Sequence, residues 1–205
     1  MTVIISSTPV PKKVTSNQER LESIFNTVDV IKSDLGRCGM RLQEARQLGA
    51  ITPFTSAAGS FICIYGLADE HLLDNAVKGQ QSLKIIANEY FKKDKAVLIY
   101  DLSSQAWEKN EVKSRLGGAL VLKKPLQNDY PLNSMVVALK KVEYKYYPAQ
   151  RILKRKADKG NFQPLLEEVS DFYVTFFVDA QSVLYRIEIC KKEQIRGYIF
   201  LLNLE

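Results

Sequence analysis

The sequence predicts an α+β fold. A central βαβαβ parallel segment is extended by a C-terminal antiparallel meander into one mixed sheet, and an N-terminal arm and a heptad-patterned helix precede it. Three observations carry this expectation. Continuous apolar runs such as AVLIYD at 96–101 alternate with stretches of helical spacing, as buried parallel strands joined by crossover helices do. The last third alternates with period two: Phe172, Val174, Phe176 and Val178, then Val183, Tyr185, Ile187 and Ile189. Near the start, Leu21, Ile24, Val28, Ile31, Leu35, Cys38, Leu42 and Ala45 recur at steps of three and four, a heptad seam.

At 205 residues, with 46% apolar and 25% charged residues, the chain is long and apolar enough to bury a core. The expected division is an extended arm at 1–15, a helical segment at 16–49 and a single α/β domain with its meander at 50–205. In the arm, Pro9 and Pro11 lack N–H donors and push Thr8 and Val10 away from helix. Ser16 and Glu19 have the spacing of a capping box. Gly36 and Gly39 interrupt the seam at about 1 kcal/mol each. One long helix, or two hinged near Gly36, would satisfy the pattern. The seam can pack on the chain's own sheet or dimerise, so Leu21, Ile24, Val28, Ile31 and Leu35 are candidate oligomer contacts.

Further on, SFICIYG at 60–66 reads as the first strand. Leu72, Leu73, Ala76, Leu83, Ile86, Tyr90 and Phe91 give 69–92 a helical stripe. The strand at 96–101 follows. Ser103 or Ser104 then caps a helix bearing Trp107, which Gly117 and Gly118 end, and 119–124 is a third strand. The crossovers are expected to be right-handed. For 133–147 the β-branched residues and tyrosines favour a strand, although Val136, Leu139, Val142 and Tyr146 also fit a helical stripe. Pro148 can open a short helix ending near Gly160. Short linkers at 179–182 and 191–194 join the meander, which closes with a strand at 197–204.

The start lacks the basic segment and apolar core of a secretory signal, and no apolar run reaches the eighteen or so residues of a membrane span. Cys38, Cys63 and Cys190 are odd in number and scattered, which fits buried thiols in a reducing compartment. The expected location is cytoplasmic, or an intracellular assembly or virion. The single histidine, His71, has no cysteine or histidine at ligand spacing, so no metal is expected. Neither phosphate-binding glycine motif occurs, and no cofactor is expected.

The residues at 140–159 hold eight basic and two acidic side chains, a balance of +6 that equals that of the whole chain. Tyr144, Tyr146 and Tyr147 are interleaved among them. This combination points to an anionic partner, nucleic acid or an acidic protein surface. Lys140, Lys141, Lys145, Arg151, Lys154, Arg155 and Lys159 are the candidate contacts. If 149–159 is helical, Arg151, Arg155 and Lys159 form a ridge at four-residue spacing with Lys154 beside it. The reading is a non-catalytic binder of nucleic acid or another polyanion. One alternative is a structural subunit of a larger assembly such as a viral or phage particle. A second is an α/β enzyme with a site at the strand edge near Asp69, His71 and Asp101, where a histidine, aspartates and Ser103 or Ser104 would gather.

Overall fold

The structure, a computed structural model, describes residues 12–189, 193–201 and 203. Most of the expected arm, and Cys190, lie outside these residues. Two helices come first, α1 (Lys12–Arg37) and α2 (Gln43–Gln47). Nine strands then build a large sheet: β1 (Phe54–Ala57), β2 (Ser60–His71), β3 (Ser82–Lys84), β4 (Ala96–Asp101), β5 (Ala106–Leu116), β6 (Ala119–Leu122), β7 (Met135–Tyr147), β8 (Ile152–Ala157) and β9 (Gln163–Leu166). The last three, β10 (Val169–Phe177), β11 (Ser182–Ile189) and β12 (Glu193–Phe200), form a separate antiparallel sheet. No described helix is long and apolar enough to cross a membrane.

The expected βαβαβ parallel segment is not present. Among the described residues every strand pairing is antiparallel, and the large sheet runs β1-β2-β7-β4-β5-β6-β3 with β8 and β9 attached to β7. The runs at 60–66, 96–101 and 119–122 are strands, as the pattern implies. The two intervening helices are not helices. The stripe at 69–92 is the end of β2, an irregular loop and β3. Leu72, Ala76, Leu83, Ile85 and Phe91 enter the core from it, while Leu73, Val77, Ile86 and Tyr90 stay exposed.

The region expected as a Trp107 helix is β5, and its alternation was masked by polar residues facing inward. Glu108 and Asn110 are buried beside Val112. They are satisfied: Glu108 accepts the Gln127 N–H at 2.7 Å, and Asn110 donates to the Lys124 carbonyl at 3.0 Å. Gly117 and Gly118, read as a helix cap, instead form the two-residue hairpin turn to β6, with φ of 53° and 83°. The helix expected at 149–159 is a turn followed by β8.

β7 is the strand expected at 133–147, and it sorts the chain into layers. Val136 and Ala138 point into a core enclosed by the curling sheet, with Leu72, Leu83, Ile99, Leu120 and Tyr130. Val142 and Tyr144 point to the same side, into a core shared with α1 and the inner face of the small sheet. Val137 and Leu139 point the opposite way, under α2, with Leu42, Ala45, Ile51 and Leu98. The meander's three antiparallel strands are present, but the last runs Glu193–Phe200 rather than 197–204, and the small sheet packs across the large sheet and α1 rather than extending one mixed sheet.

α1 starts at Lys12, so Ser16 lies inside the helix rather than capping it. Ile24, Ile31 and Leu35 of the heptad seam are buried against the chain's own sheets. Of the candidate oligomer contacts, Leu21 is exposed and Val28 half-buried. The helix ends at a turn that hydrogen bonds to β2: the Gly39 N–H donates to Ile64 O at 2.9 Å and the Gly66 N–H to Met40 O at 2.8 Å. Gly66 permits this approach, since a Cβ there would lie 2.8 Å from Val137 Cγ1 and 2.9 Å from Arg41 Cβ.

One ion pair ties α1 to the sheet. Asp34, 6% exposed, accepts from Arg155 Nε at 2.8 Å and Nη2 at 3.2 Å, and from the Tyr144 hydroxyl at 2.5 Å. Burial and the adjacent Asp34 carboxylate raise the Tyr144 phenol above its ordinary range, so it stays a donor. Removing one partner leaves a desolvated charge alone, which costs about 3–5 kcal/mol. Asp34→Ala is therefore expected to lose several kcal/mol in urea denaturation. The double variant Asp34→Leu, Arg155→Met should regain most of that loss. An Asp34→Ala chain as stable as wild type would show that the pair does not anchor the helix.

Candidate functional site

The β7–β8 hairpin divides the basic segment between two faces. On one face Glu143 pairs with Lys156, Lys145 with Lys154 and Tyr147 with Ile152; on the other, Val142 pairs with Ala157, Tyr144 with Arg155 and Tyr146 with Leu153. Arg155 thus faces α1 and is committed to Asp34. Lys140 shares that side and lines a hollow with Asp34, Arg37 and Arg155. Arg151 sits in the hairpin turn, with φ of 56°. The ridge of Arg151, Lys154, Arg155 and Lys159 does not exist, because strand alternation sends Lys154 and Arg155 to opposite faces.

What the fold assembles instead is a groove of about 620 Å³ on the outward face of the large sheet, beside α2. Its floor is Ile51, Ile64, Ala96 and Leu139. Lys141, Lys156 and Lys159 from the basic segment meet Lys92, Lys93, Lys95 and Lys109 there. Asp94, Glu143 and Asp158 are the acidic lining residues, so seven lysines face three carboxylates, a surplus of four positive charges. Lys145 and Lys154 continue the same face up the hairpin. Sequence reasoning missed Lys92, Lys93, Lys95 and Lys109. The KKDK run at 92–95 is a legible charge signal, but it spans the end of the expected helix and the linker after it, far in sequence from the basic segment.

The acidic residues are held within the lysine network. Lys141 lies 2.8 Å and Lys156 3.6 Å from Glu143, and the Lys141 ammonium leads the contacts that hold this carboxyl below its ordinary range. Lys123 and Lys159 do the same for Glu111. Among the described residues Lys92, Lys93, Lys109, Lys145 and Lys154 form no salt bridge. Three aromatic rings adjoin lysines of this face. Lys154 and Lys145 lie over Tyr147 at 4.6 and 5.4 Å, Lys156 over Phe162 at 5.5 Å and Lys109 over Trp107 at 5.9 Å. Tyr147 and Phe162 meet edge to face, 6.0 Å apart.

Asp158 builds the groove's wall. β4 pairs with β7 through Ala138, and β8 pairs with it from Val142, leaving 139–141 without a strand partner on that edge. Asp158 closes the break. Its N–H donates to Lys141 O at 2.7 Å, and its carboxylate accepts the Lys141 N–H at 3.0 Å and Lys95 Nζ at 2.9 Å. Lys95, only 5% exposed, is spent on this contact.

The alternative enzymatic residues do come together, by a different route from the one expected. Asp69, His71 and Asp101 line one cavity of about 530 Å³ with Arg41, Glu44, Tyr100 and Ser134. Asp69 pairs with Arg41, and His71 Nδ1 lies 3.1 Å from Asn133 O. Asp101 accepts from both Ser103 and Ser104 hydroxyls, at 2.6 and 2.7 Å, and from the Ser104 N–H at 2.7 Å. Burial raises the Asp101 carboxyl, but these hydrogen bonds outweigh it and hold the group below its ordinary value. Such a carboxylate is a turn cap and a weak base.

Burial raises the Asp158 carboxyl too, and the Lys141 N–H and Lys95 bring it below its ordinary 3.8. A depressed carboxylate contributes stability that is complete above its unfolded value and lost as pH falls through the lower, folded one. Wild type should therefore lose stability more steeply than Asp158→Asn as the pH drops below about 4. At pH 7 Asp158→Asn should be the less stable chain. Parallel acid limbs in thermal melts would show that Asp158 carries no folded-state charge interaction. No protein-family model matches this sequence, and no curated protein matches it at a significant level.

Proposed function

We propose that this protein is a non-catalytic binder of a polyanion, with nucleic acid as the phosphate polymer that suits the surface. The observation that carries the reading is the lysine groove and its continuation up the β7–β8 hairpin, where charges from three separate parts of the chain converge on one face. A flexible ammonium over an apolar floor offers no base code, so binding should be independent of base sequence and strongly salt-dependent. The two buried free thiols, Cys38 and Cys63, support a reducing, intracellular setting.

A second reading rests on a different surface. The outer face of the small sheet exposes Tyr173, Phe177, Tyr198 and Phe200, and α1 exposes Leu21 and Phe25. Apolar faces of this kind favour a subunit of a larger assembly that buries them. A multimer in sedimentation, dissociated by Tyr198→Lys with Phe200→Lys, would put that reading first.

The polyanion reading is tested by salt titration of a fluorescent oligonucleotide. With about four phosphate contacts, the log–log slope should be about −3 on a single strand and steeper on a duplex. Replacing Lys92, Lys93, Lys109 and Lys154 together by alanine should abolish most of the affinity and flatten the slope. Replacing Lys32 and Lys78, on α1 and in the β2–β3 loop, should change little. A wild-type chain that does not bind at low salt, or a fourfold variant that binds equally well, overturns the proposal.

A further inference from the structure

We infer that the polyanion is a single-stranded nucleic acid whose bases stack on Trp107, Phe162 and Tyr147 while its phosphates follow the lysines between these rings; this rests on the polyanion reading above. The argument begins with the track. Trp107 pairs with Tyr100, which pairs with Met135 at the start of β7, and Tyr147 ends that strand. Trp107 and Lys109 lie together on the outward side of β5. Lys109, Lys141, Lys159 and Lys156 line the groove, Lys156 covers Phe162, and Phe162 touches Tyr147 beneath Lys154. The thirteen residues of β7 span about 40 Å, so the rings stand at the two ends of an extended cationic path.

The surface is amphiphilic, and this separates the candidate polyanions. Between the lysines lie Ile51, Ile64, Ala96 and Leu139, a floor without charge. A duplex or an inorganic polyphosphate offers only phosphates to such a surface. It would press charge against hydrocarbon or leave floor and rings wet. A single strand alternates charged backbone with flat, unpaired bases, matching both parts of the track. Each ring has a lysine over it. An exposed cation–π contact is weaker than a stacked base, so an incoming base can displace the ammonium, which then meets the adjacent phosphate. Trp107 is 40% exposed, on a strand in which the inward positions are already filled by Glu108 and Asn110.

The chain has one tryptophan, so its fluorescence reports stacking without any substitution. The experiment titrates wild type, at one salt concentration, with oligothymidylate and oligouridylate of about twelve nucleotides, a duplex of equal length and inorganic polyphosphate. The expected result is quenching of Trp107 by the single strands alone and at least about tenfold tighter binding of a single strand than of duplex or polyphosphate. Tyr147→Ala, Phe162→Ala and Trp107→Ala should each weaken single-strand binding by about 5- to 100-fold, leaving the salt slope and polyphosphate binding unchanged. Tyr147→Phe should retain the affinity. If duplex or polyphosphate binds as tightly as the single strand and Trp107 is not quenched, this inference fails and the polyanion reading stands. If none of the probes binds at low salt, both fail.

Discussion

β7 has three strand neighbours on two edges, and much of the molecule follows from how they share it. β2 runs along one edge for nearly its whole length, while β4 and β8 divide the other. A backbone edge left open for three residues in a folded sheet must find donors and acceptors elsewhere. Asp158 supplies both at Lys141, and to do so draws Lys95 almost wholly out of solvent. That contact brings the turn at 92–95 against the end of β8, where two lysine-bearing segments distant in sequence become walls of one groove. The break in the ladder and the groove are one feature.

The period of two decides what each charge can do. Along β7 and β8 it sends Lys141, Lys145, Lys154 and Lys156 outward, and turns Tyr144 and Arg155 toward α1. Arg155 then has a nearly buried carboxylate beside it and is half of a structural clamp. An arginine one position away from a lysine thus has an unrelated role. The clamp also explains a charge within the apolar seam of α1: Asp34 lies beside Leu35 and Ile31 because the sheet offers it a bidentate partner and a phenol. Charge pairs of this type contribute less to net stability than apolar packing would, but they fix the register of the helix against the sheet.

The charge of the lysine-rich face was legible, while its membership was not. Lys141, Lys145, Lys154 and Lys159 were found because charge density survives any error in secondary structure. Arg151 and Arg155 join them through a helical ridge that the chain does not form, and Lys140 through charge density alone, although its place on β7 turns it toward α1. Lys92, Lys93, Lys95 and Lys109 were missed because they lie 50 to 67 positions before Lys159, and only the antiparallel pairing of β4 with β5 and β7 brings them to it. The pattern places Trp107 on a short helix, whereas it sits on an outward strand face.

The sequence by itself determined where strands of strong apolar character lie, at 96–101 and through the last third, and that a concentrated cationic segment exists. Those properties are local: β-branched and aromatic residues fit a pleated surface, and like charges in succession must be solvated or paired. The tertiary structure alone decided strand direction, the fate of 69–92 and 103–116, and which lysines converge. At 69–92 a spacing of four in the apolar residues is compatible with a helix, and only pairing with β6 and β7 selects the extended chain. At 103–116 two of the three buried residues are Glu108 and Asn110, whose burial is tolerable only because the backbone at 124 and 127 satisfies them. A buried polar group carries no hydrophobic signal, so no period could be read from it until its distant partners were in place.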